Sequence, residues 1–422
     1  MVTKTKLSNG LTLVLAPLKA TQAVTVLVLA PVGSRYEAKN INGVSHFVEH
    51  LLFKGTTRRP TSLDITKELD AIGAEYNAFT AKDHTGYYIK TISDKVELAF
   101  DVLADMIFES TFKQAEIDKE RGVILEEINM YDDNPLMNLG SLFDQTVFGD
   151  HPLGWNIAGP KSVIKKVSRR EIVAYKNKHY RPQHIIIAVS GNFNAARVKG
   201  LAKRYFGNAQ PKAARQTFDT PQIKQQQPRV SITFKDTQQV QLGLGFPAYG
   251  LKHPKLYALY LLSLIMGGNM SSRLFTVVRE QHGLAYYIRT DASAYQDTGT
   301  FMVQAGLDKK RIKQAISLIL SELARVRDGG VTDKELSDAK AFLKGKIVLE
   351  LEDSEHVADW YGKQQLFLNT LYTPEQRLKK IQAMTKRDIS AAARDIIKQQ
   401  SISLALIGPF KDKKLFTPLL RL

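Results

Sequence analysis

The chain repeats itself once, and this duplication limits its fold more than any other feature. Thr, Gln and Val recur at the same spacing in 21–28 and 237–244, at a shift of about 216 residues. Near the end of each half, IIIAVSGNF at 185–193 is similar to ISLALIGPF at 402–410. We therefore predict two similar domains, residues 1–210 and 229–422. A Gln- and Pro-rich stretch without apolar periodicity, residues 208–228, is predicted to connect them.

The predicted elements follow the same order in both halves. Alternating apolar residues predict strands at 11–15, 23–30, 74–80, 85–91 and 184–190, and again at 229–234, 239–246, 284–291, 298–304 and 401–407. Helical periodicity predicts helices at 43–54, 62–72, 94–109 and 114–131, and again at 254–267, 271–282, 308–327 and 332–351. Clustered strands with clustered helices indicate an α+β fold, in which helices pack on mostly antiparallel sheets.

Composition narrows the chemistry that the chain can perform. It has no cysteine, which excludes disulfides, thiol catalysis and cysteine-ligated metals, so histidine and carboxylate remain as strong metal ligands.

The net charge of +17 could attract nucleic acid or an anionic membrane. No compact Lys/Arg run is present, which favours a solvated basic surface. We expect neither a nucleic-acid nor a membrane partner. No signal peptide or membrane-spanning stretch is recognisable, so a cytoplasmic location is expected.

The sharpest local motif is His46-Phe47-Val48-Glu49-His50. Residues four apart on a helix lie on one face, so His46 and His50 can offer two imidazoles to one metal ion. The carboxylate of Glu49 can reach the same space. This is the H-x-x-E-H order, the reverse of the commoner H-E-x-x-H. The alternative is an ordinary helix whose histidines are solvated or hydrogen-bonded.

Two histidines do not complete a hydrolytic zinc site, which usually has three protein ligands. The helix predicted at 114–131 supplies candidates, and on a helical wheel its buried arc contains Ile117, Val123, Ile124 and Tyr131. Glu127 and Glu120 fall inside that arc, whereas Glu126 points away. A carboxylate on a buried face needs a cation or a hydrogen-bond partner. We therefore predict Glu127 as the third ligand, Glu120 as its support and Glu126 as solvated.

The HxxEH motif, followed by the glutamate of ERGVILEE, resembles the pitrilysin/insulinase family of zinc peptidases, which includes the mitochondrial processing peptidase. The resemblance covers nearly the whole chain, including its two halves. It implies one Zn²⁺ per chain, held by His46, His50 and Glu127. It also implies Glu49 as catalytic base and Glu120 as a supporting acid.

Two further segments are similar to this family. The stretch 73–80, with Asn77 and Ala78, looks like the family's edge strand, to which a peptide adds through main-chain hydrogen bonds. In the second half, Arg279 and Tyr286 resemble a pair that reaches the substrate. Arg279 is expected to hold a substrate carbonyl and Tyr286 to stabilise the oxyanion. Each segment could instead be an ordinary strand, or a surface Arg with a packed Tyr.

The repeat adds an independent observation. At the positions equivalent to His46, Glu49 and His50, the second copy has Leu262, Ile265 and Met266. Only the first copy is therefore equipped to bind a metal.

These features together predict a zinc-dependent endopeptidase that cleaves unfolded peptides. The resemblance implies that the chain is half of a clamshell, closed by a second copy or by a related subunit. The alternative from another class is a non-catalytic scaffold or peptide-binding subunit with the same fold. A basic nucleic-acid binder is a third reading, which strongly salt-dependent binding would reveal.

Overall fold

The computed structural model describes residues 1–211 and 217–422. The strands are β1 Thr3–Lys6, β2 Thr12–Pro17, β3 Ala23–Ala30, β4 Glu75–Thr80, β5 Thr85–Ile92, β6 Ile186–Gly191, β7 Arg229–Phe234, β8 Gln239–Ala248, β9 Ala285–Ala294, β10 Gly299–Asp308 and β11 Ser403–Gly408. The α-helices are α1 Val44–Leu52, α2 Ser62–Asp70, α3 Val96–Glu109, α4 Gln114–Asp133, α5 Pro135–Phe148, α6 Lys161–Ile164, α7 Arg169–His179, α8 Ala195–Phe206, α9 Leu256–Gly267, α10 Ile312–Gly329, α11 Asp333–Glu350, α12 Ser354–Leu368, α13 Pro374–Gln382 and α14 Lys386–Ile396. A π-helical segment occupies Phe275–Gln281.

Five strands of each sheet have the same order, as the duplication requires, and the first sheet has β1 as an additional edge strand. The first sheet runs β1-β2-β6-β3-β5-β4 and the second runs β7-β11-β8-β10-β9. Each contains one parallel pair at the equivalent place, β2 with β6 and β7 with β11, and its other neighbours are antiparallel. The predicted α+β fold with mostly antiparallel sheets packed by helices is thus confirmed.

The compact units are not continuous segments of the chain, because each contains one helical stretch from the other half. Contacts divide the chain into a first unit of Met1–Ile128, Asn156–Asp219 and Ile347–Tyr372 and a second unit of Asn129–Trp155, Thr220–Lys346 and Thr373–Leu422. Helix α12 covers the first sheet and α5 covers the second. The boundaries 1–210 and 229–422 describe the duplication in the sequence, whereas packing mixes the two halves.

The exchanged helices are held by apolar contacts with the sheet that they cover. In α12, Val357, Ala358 and Tyr361 pack with Leu27 and Leu29 of β3. The absence of a side chain at Gly362 allows close approach, since a Cβ there would lie 2.8 Å from Leu29 Cδ1.

Leu262, Ile265 and Met266, the second-copy equivalents of the HxxEH motif, lie on α9 and are buried. They belong to the apolar interior of the second unit, where burial of such side chains is favourable. The second copy therefore keeps the helix and uses it for packing alone.

Part of the predicted connector is anchored rather than exposed. Phe218 lies against the guanidinium of Arg35, with 3.8 Å between the Arg35 Cζ and the ring centroid. Arg35 also donates a hydrogen bond to the carbonyl oxygen of Asp219, at 3.0 Å. Further along, Gln225 is buried and donates to the carbonyl oxygen of Ile402, at 2.8 Å. Residues 212–216 of the predicted connector lie outside the described residues.

Across residues 1–211 and 217–422, no helix is both long enough and apolar enough to cross a bilayer.

Candidate metal centre

The position of helix α1 is fixed at its N-terminus by a buried carboxylate. Gly43 precedes the helix with φ 99°, and a Cβ there would lie 2.5 Å from the carbonyl oxygen of Ala158. The carboxylate of Glu37 accepts hydrogen bonds from the backbone N–H groups of Gly43 and Ser45, each at 2.7 Å. Burial raises the pKa of Glu37, and these bonds oppose that rise. Glu37 satisfies N–H groups that a helix start leaves unpaired, and so holds α1 in place.

Helix α1 and helix α4 bring three potential ligand atoms together. The distance between His46 Nε2 and His50 Nε2 is 3.2 Å. Glu127 Oε2 lies 3.6 Å from His46 Nε2 and 3.5 Å from His50 Nε2. In a tetrahedral zinc site with bonds of about 2.0–2.1 Å, ligand atoms are separated by roughly 3.3–3.4 Å. This donor set therefore fits a zinc ion. Among the described residues, His46, His50 and Glu127 form the group of possible metal ligands whose donor atoms all lie within 4.8 Å of one another.

One histidine of the pair is oriented by a buried ion pair. His50 Nδ1 donates to Glu120 Oε2, at 3.2 Å. The other oxygen of Glu120 lies 2.9 Å from Lys54 Nζ, and the Glu120 side chain is 2% exposed. Metal-binding histidines commonly donate their second ring N–H to a carboxylate, which fixes the orientation of the ring. His46 Nδ1 is buried without a hydrogen-bond partner among the described residues, so packing orients that ring.

The electrostatics of the site favour a positive charge between the imidazoles and the acids. Burial and the neighbouring His50 lower the pKa of His46 to about 4. Burial lowers the pKa of His50, but hydrogen bonds to Glu120 and Glu127 outweigh it and raise that pKa to about 9. The hydrogen bond from His50 lowers the pKa of Glu127. For Glu120, bonds from His50 and Lys54 outweigh burial and lower the pKa. The carboxylate of Glu127 thus faces the place between the two Nε2 atoms, and Glu120 adds a negative charge on the other side of the His50 ring, which suits a cation.

The exposure of helix α4 agrees with the sequence prediction at Glu120 and Glu126, is intermediate at Glu127 and differs at Val123. Glu120 is buried, Glu127 is half-buried and Glu126 is exposed. Val123 is 46% exposed, so its place in the buried arc was wrong. The buried face is instead narrower and consists of Ile117, Glu120, Ile124 and Ile128. One side of the helical wheel contains both buried residues, such as Ile124, and exposed residues, such as Val123. Only packing against neighbouring elements decides which of them are covered.

Glu49 lies beside the candidate ligands His46 and His50 on α1 and is half-buried. Its Oε2 accepts a hydrogen bond from the side-chain hydroxyl of Thr80, which is the last residue of β4. Burial raises the pKa of Glu49, opposed by this bond. Strand β4 is the edge of the first sheet, with β5 on one side and no strand on the other among the described residues. Asn77 and Ala78 belong to this edge strand.

Arg279 and Tyr286 lie in the second compact unit. Arg279 is in the π-helical segment, and its guanidinium lies 4.7 Å from the centroid of the Phe275 ring. Tyr286 is 74% exposed, which is unusual for a tyrosine in a strand and leaves its hydroxyl accessible. Tyr286 is therefore not the packed tyrosine that the sequence left open as an alternative.

The contacts that three residues make at the site were not foreseen from the sequence. Glu37 precedes the motif by nine positions, Lys54 follows it by one helical turn, and Thr80 lies on another element. The spacing of His50 and Lys54 at i, i+4 indicates a shared face. No local pattern indicates which acid Lys54 pairs with, or that Thr80 reaches Glu49.

The fold and the donor set define a class: a duplicated α+β protein with a candidate metal centre of two histidines and one glutamate on one of its two copies. The family model described as Insulinase (Peptidase family M16) matches residues 13–161. The model described as Peptidase M16 inactive domain matches residues 166–343. The chain belongs to the insulinase/pitrilysin family of peptidases, family M16, as the sequence resemblance predicted.

Relatives match over nearly the full length. The chain is 36% identical over 421 residues to an uncharacterized zinc protease of Streptomyces coelicolor, covering 98% of this chain and 91% of that protein. It is 34% identical over 409 residues to the uncharacterized zinc protease YmxG of Bacillus subtilis, covering 97% and 98%. Among solved structures, a protease from Helicobacter pylori matches with a TM-score of 0.90 and 26% identity, covering 97% of this chain and 99% of that one.

Proposed function

We propose that this protein is a zinc-dependent endopeptidase that cleaves unfolded peptides. The observation that carries the proposal is the convergence of His46 Nε2, His50 Nε2 and Glu127 Oε2, separated by 3.2 to 3.6 Å, beside a further carboxylate at Glu49. Three protein ligands with space for a water are the donor set of a hydrolytic zinc site. Similarity to proteins named zinc proteases supports the same function.

The residues around the centre have separate tasks in this proposal. His46, His50 and Glu127 bind one Zn²⁺ per chain, and Glu120 orients His50. A bound zinc ion supplies an activated water and polarises the scissile carbonyl. Glu49 takes a proton from the attacking water and passes it to the departing amine, so that one peptide and one water give one acid and one amine.

Two sets of residues are proposed to bind substrate, Asn77 and Ala78 on β4, and Arg279 with Tyr286. A peptide would add to β4 at Asn77 and Ala78 through main-chain hydrogen bonds, which tolerate many sequences. Arg279 would hold a substrate carbonyl and the exposed hydroxyl of Tyr286 would donate to the oxyanion. An extended strand is required for this mode of binding, so folded proteins would be poor substrates.

We also propose that two chains enclose the substrate, as a homodimer or with a related subunit. Membership of the family and the match to both family models support this arrangement. Sedimentation of the purified chain would show directly whether it associates with itself.

The decisive experiment compares Glu49→Gln with wild type on a library of unfolded peptides, read by mass spectrometry. We expect the variant to retain zinc and to lose about 10²–10⁴-fold in turnover, the usual contribution of a general base. Glu126→Gln, an exposed acid on α4, is the matched control and should cleave like wild type. Cleavage by Glu49→Gln at the wild-type rate, or wild-type cleavage that survives removal of zinc by a chelator, would refute the proposal.

A further inference from the structure

Thr80 joins the edge strand to the acid that would act as base. It is the last residue of β4, and its side-chain hydroxyl donates to Glu49 Oε2 on α1. A threonine hydroxyl has one hydrogen to donate, and here that hydrogen is directed to the carboxylate. Because the β-branched side chain is stiff about χ1, the position of its oxygen follows the position of the strand.

The backbone of β4 shows which groups an added peptide would meet. Ala81 N–H donates to the carbonyl oxygen of His84, at 2.8 Å, so these two residues form a hydrogen-bonded pair. Hydrogen-bonded and non-bonded pairs alternate along an antiparallel ladder, so the main-chain groups of Thr80 and Ala78 face away from β5. Ala78 N–H confirms this direction, since it bonds to the side-chain oxygen of Asn77, at 2.9 Å.

Side chains of β4 alternate between the two faces of the sheet. Ala78 packs against the apolar cluster that contains α1, whereas Phe79 packs against the cluster that contains α12. Thr80 is two residues from Ala78 and therefore shares the α1 face. Its main chain faces an incoming peptide while its side chain holds Glu49.

We propose that Thr80 is a positioning residue, which fixes the carboxylate of Glu49 relative to the sheet edge where the peptide adds. This inference rests on the proposed peptidase function. Thr80 would pair with the peptide through its main chain and donates to Glu49 through its side chain. It would therefore fix the position of the base relative to the peptide. A misplacement of ~1 Å can reduce the rate of a reaction about 10²-fold, so a fixed frame matters for turnover.

Thr80→Val tests the proposal, because valine has nearly the same shape and suits a strand but lacks the donor. We expect kcat to fall by about tenfold or more, with KM and zinc content unchanged, and Thr80→Ser to restore most of the rate. Thr91→Val is the matched control, since this threonine is buried on β5 and its hydroxyl has no hydrogen-bond partner among the described residues. In a Glu49→Gln background, Thr80→Val should cause no further loss.

A crystal structure of the full-length Thr80→Val protein gives a readout that does not need activity. We expect Glu49 in several rotamers there and in one rotamer in wild type. If Glu49 keeps its rotamer, or if Thr80→Val keeps the wild-type kcat, the positioning role is wrong. If Glu49 is released but wild type cleaves no peptide, the positioning role stands and the proposed function fails.

Discussion

Replacing Glu120 with glutamine is expected to weaken zinc binding without unfolding the chain. The carboxylate accepts from His50 Nδ1, at 3.2 Å, and pairs with Lys54 Nζ, at 2.9 Å. A glutamine that still accepts from His50 must turn its NH₂ group toward Lys54. Lys54 is 24% exposed, so its ammonium can move into water. The variant therefore retains its shape but loses the negative charge that strengthens the bond to His50.

The size of the effect follows from the burial of that bond. Glu120 is 2% exposed, so solvent screens its charge little. Hydrogen bonds to charged groups contribute about 1.5–3 kcal/mol. Loss of the acid that orients a metal-binding histidine typically costs about 10–100-fold in metal affinity, or roughly 1.4–2.7 kcal/mol. The two estimates agree, and we expect an affinity for zinc about 10–100-fold below that of wild type.

The assay is competition for zinc against a chromophoric chelator, with Glu126→Gln measured in parallel. Thermal melting of the zinc-free proteins separates lost affinity from lost folding. Wild-type affinity in Glu120→Gln would contradict the role assigned to this acid. An equal loss in Glu126→Gln would show that the helix, rather than one position on it, responds to lost charge.

Two further predictions concern other parts of the chain. Burial lowers the pKa of His84 to about 3, whereas the unfolded chain titrates near ~6.5, so stability should fall as the pH drops below ~6.5. With a chelator present to remove metal, the free energy of unfolding should fall between pH ~7 and ~5 in wild type, and by roughly 2 kcal/mol less in His84→Phe. Equal falls in the two proteins, measured by denaturant titration, would contradict this. Tyr286→Phe should lower kcat about tenfold or more with zinc content unchanged, whereas Tyr257→Phe should not. Equal kcat in Tyr286→Phe and wild type would remove the hydroxyl from the mechanism.

Much of the fold could be predicted because the chain contains it twice. A shared element order in two halves predicts one sheet order used twice, and five strands of each sheet have a common order, with β1 added to the first sheet. The predicted helix at 43–54 is observed as α1, Val44–Leu52. The exchange of α5 and α12 between the halves was not predictable, because an apolar helix face does not specify which of two similar sheets it covers.

The candidate site divides in the same way. Helical spacing alone places His46 and His50 on one face, and helical periodicity narrows the acids of α4 that could accompany them to Glu120 and Glu127. Long-range packing decides the rest. The pairing of Lys54 with Glu120 joins the segment just after α1 to α4, and the bond from Thr80 to Glu49 joins a strand to a helix.

The sequence by itself determined the duplication, the helix that presents two imidazoles and the apolar replacement of that motif in the second copy. These are local or periodic properties, which a chain expresses wherever it folds. Only the tertiary structure decided the distances of 3.2 to 3.6 Å among the three ligand atoms. It also decided which threonine donates to Glu49. Such contacts join residues far apart in the chain, and packing of whole elements, rather than spacing, brings them together.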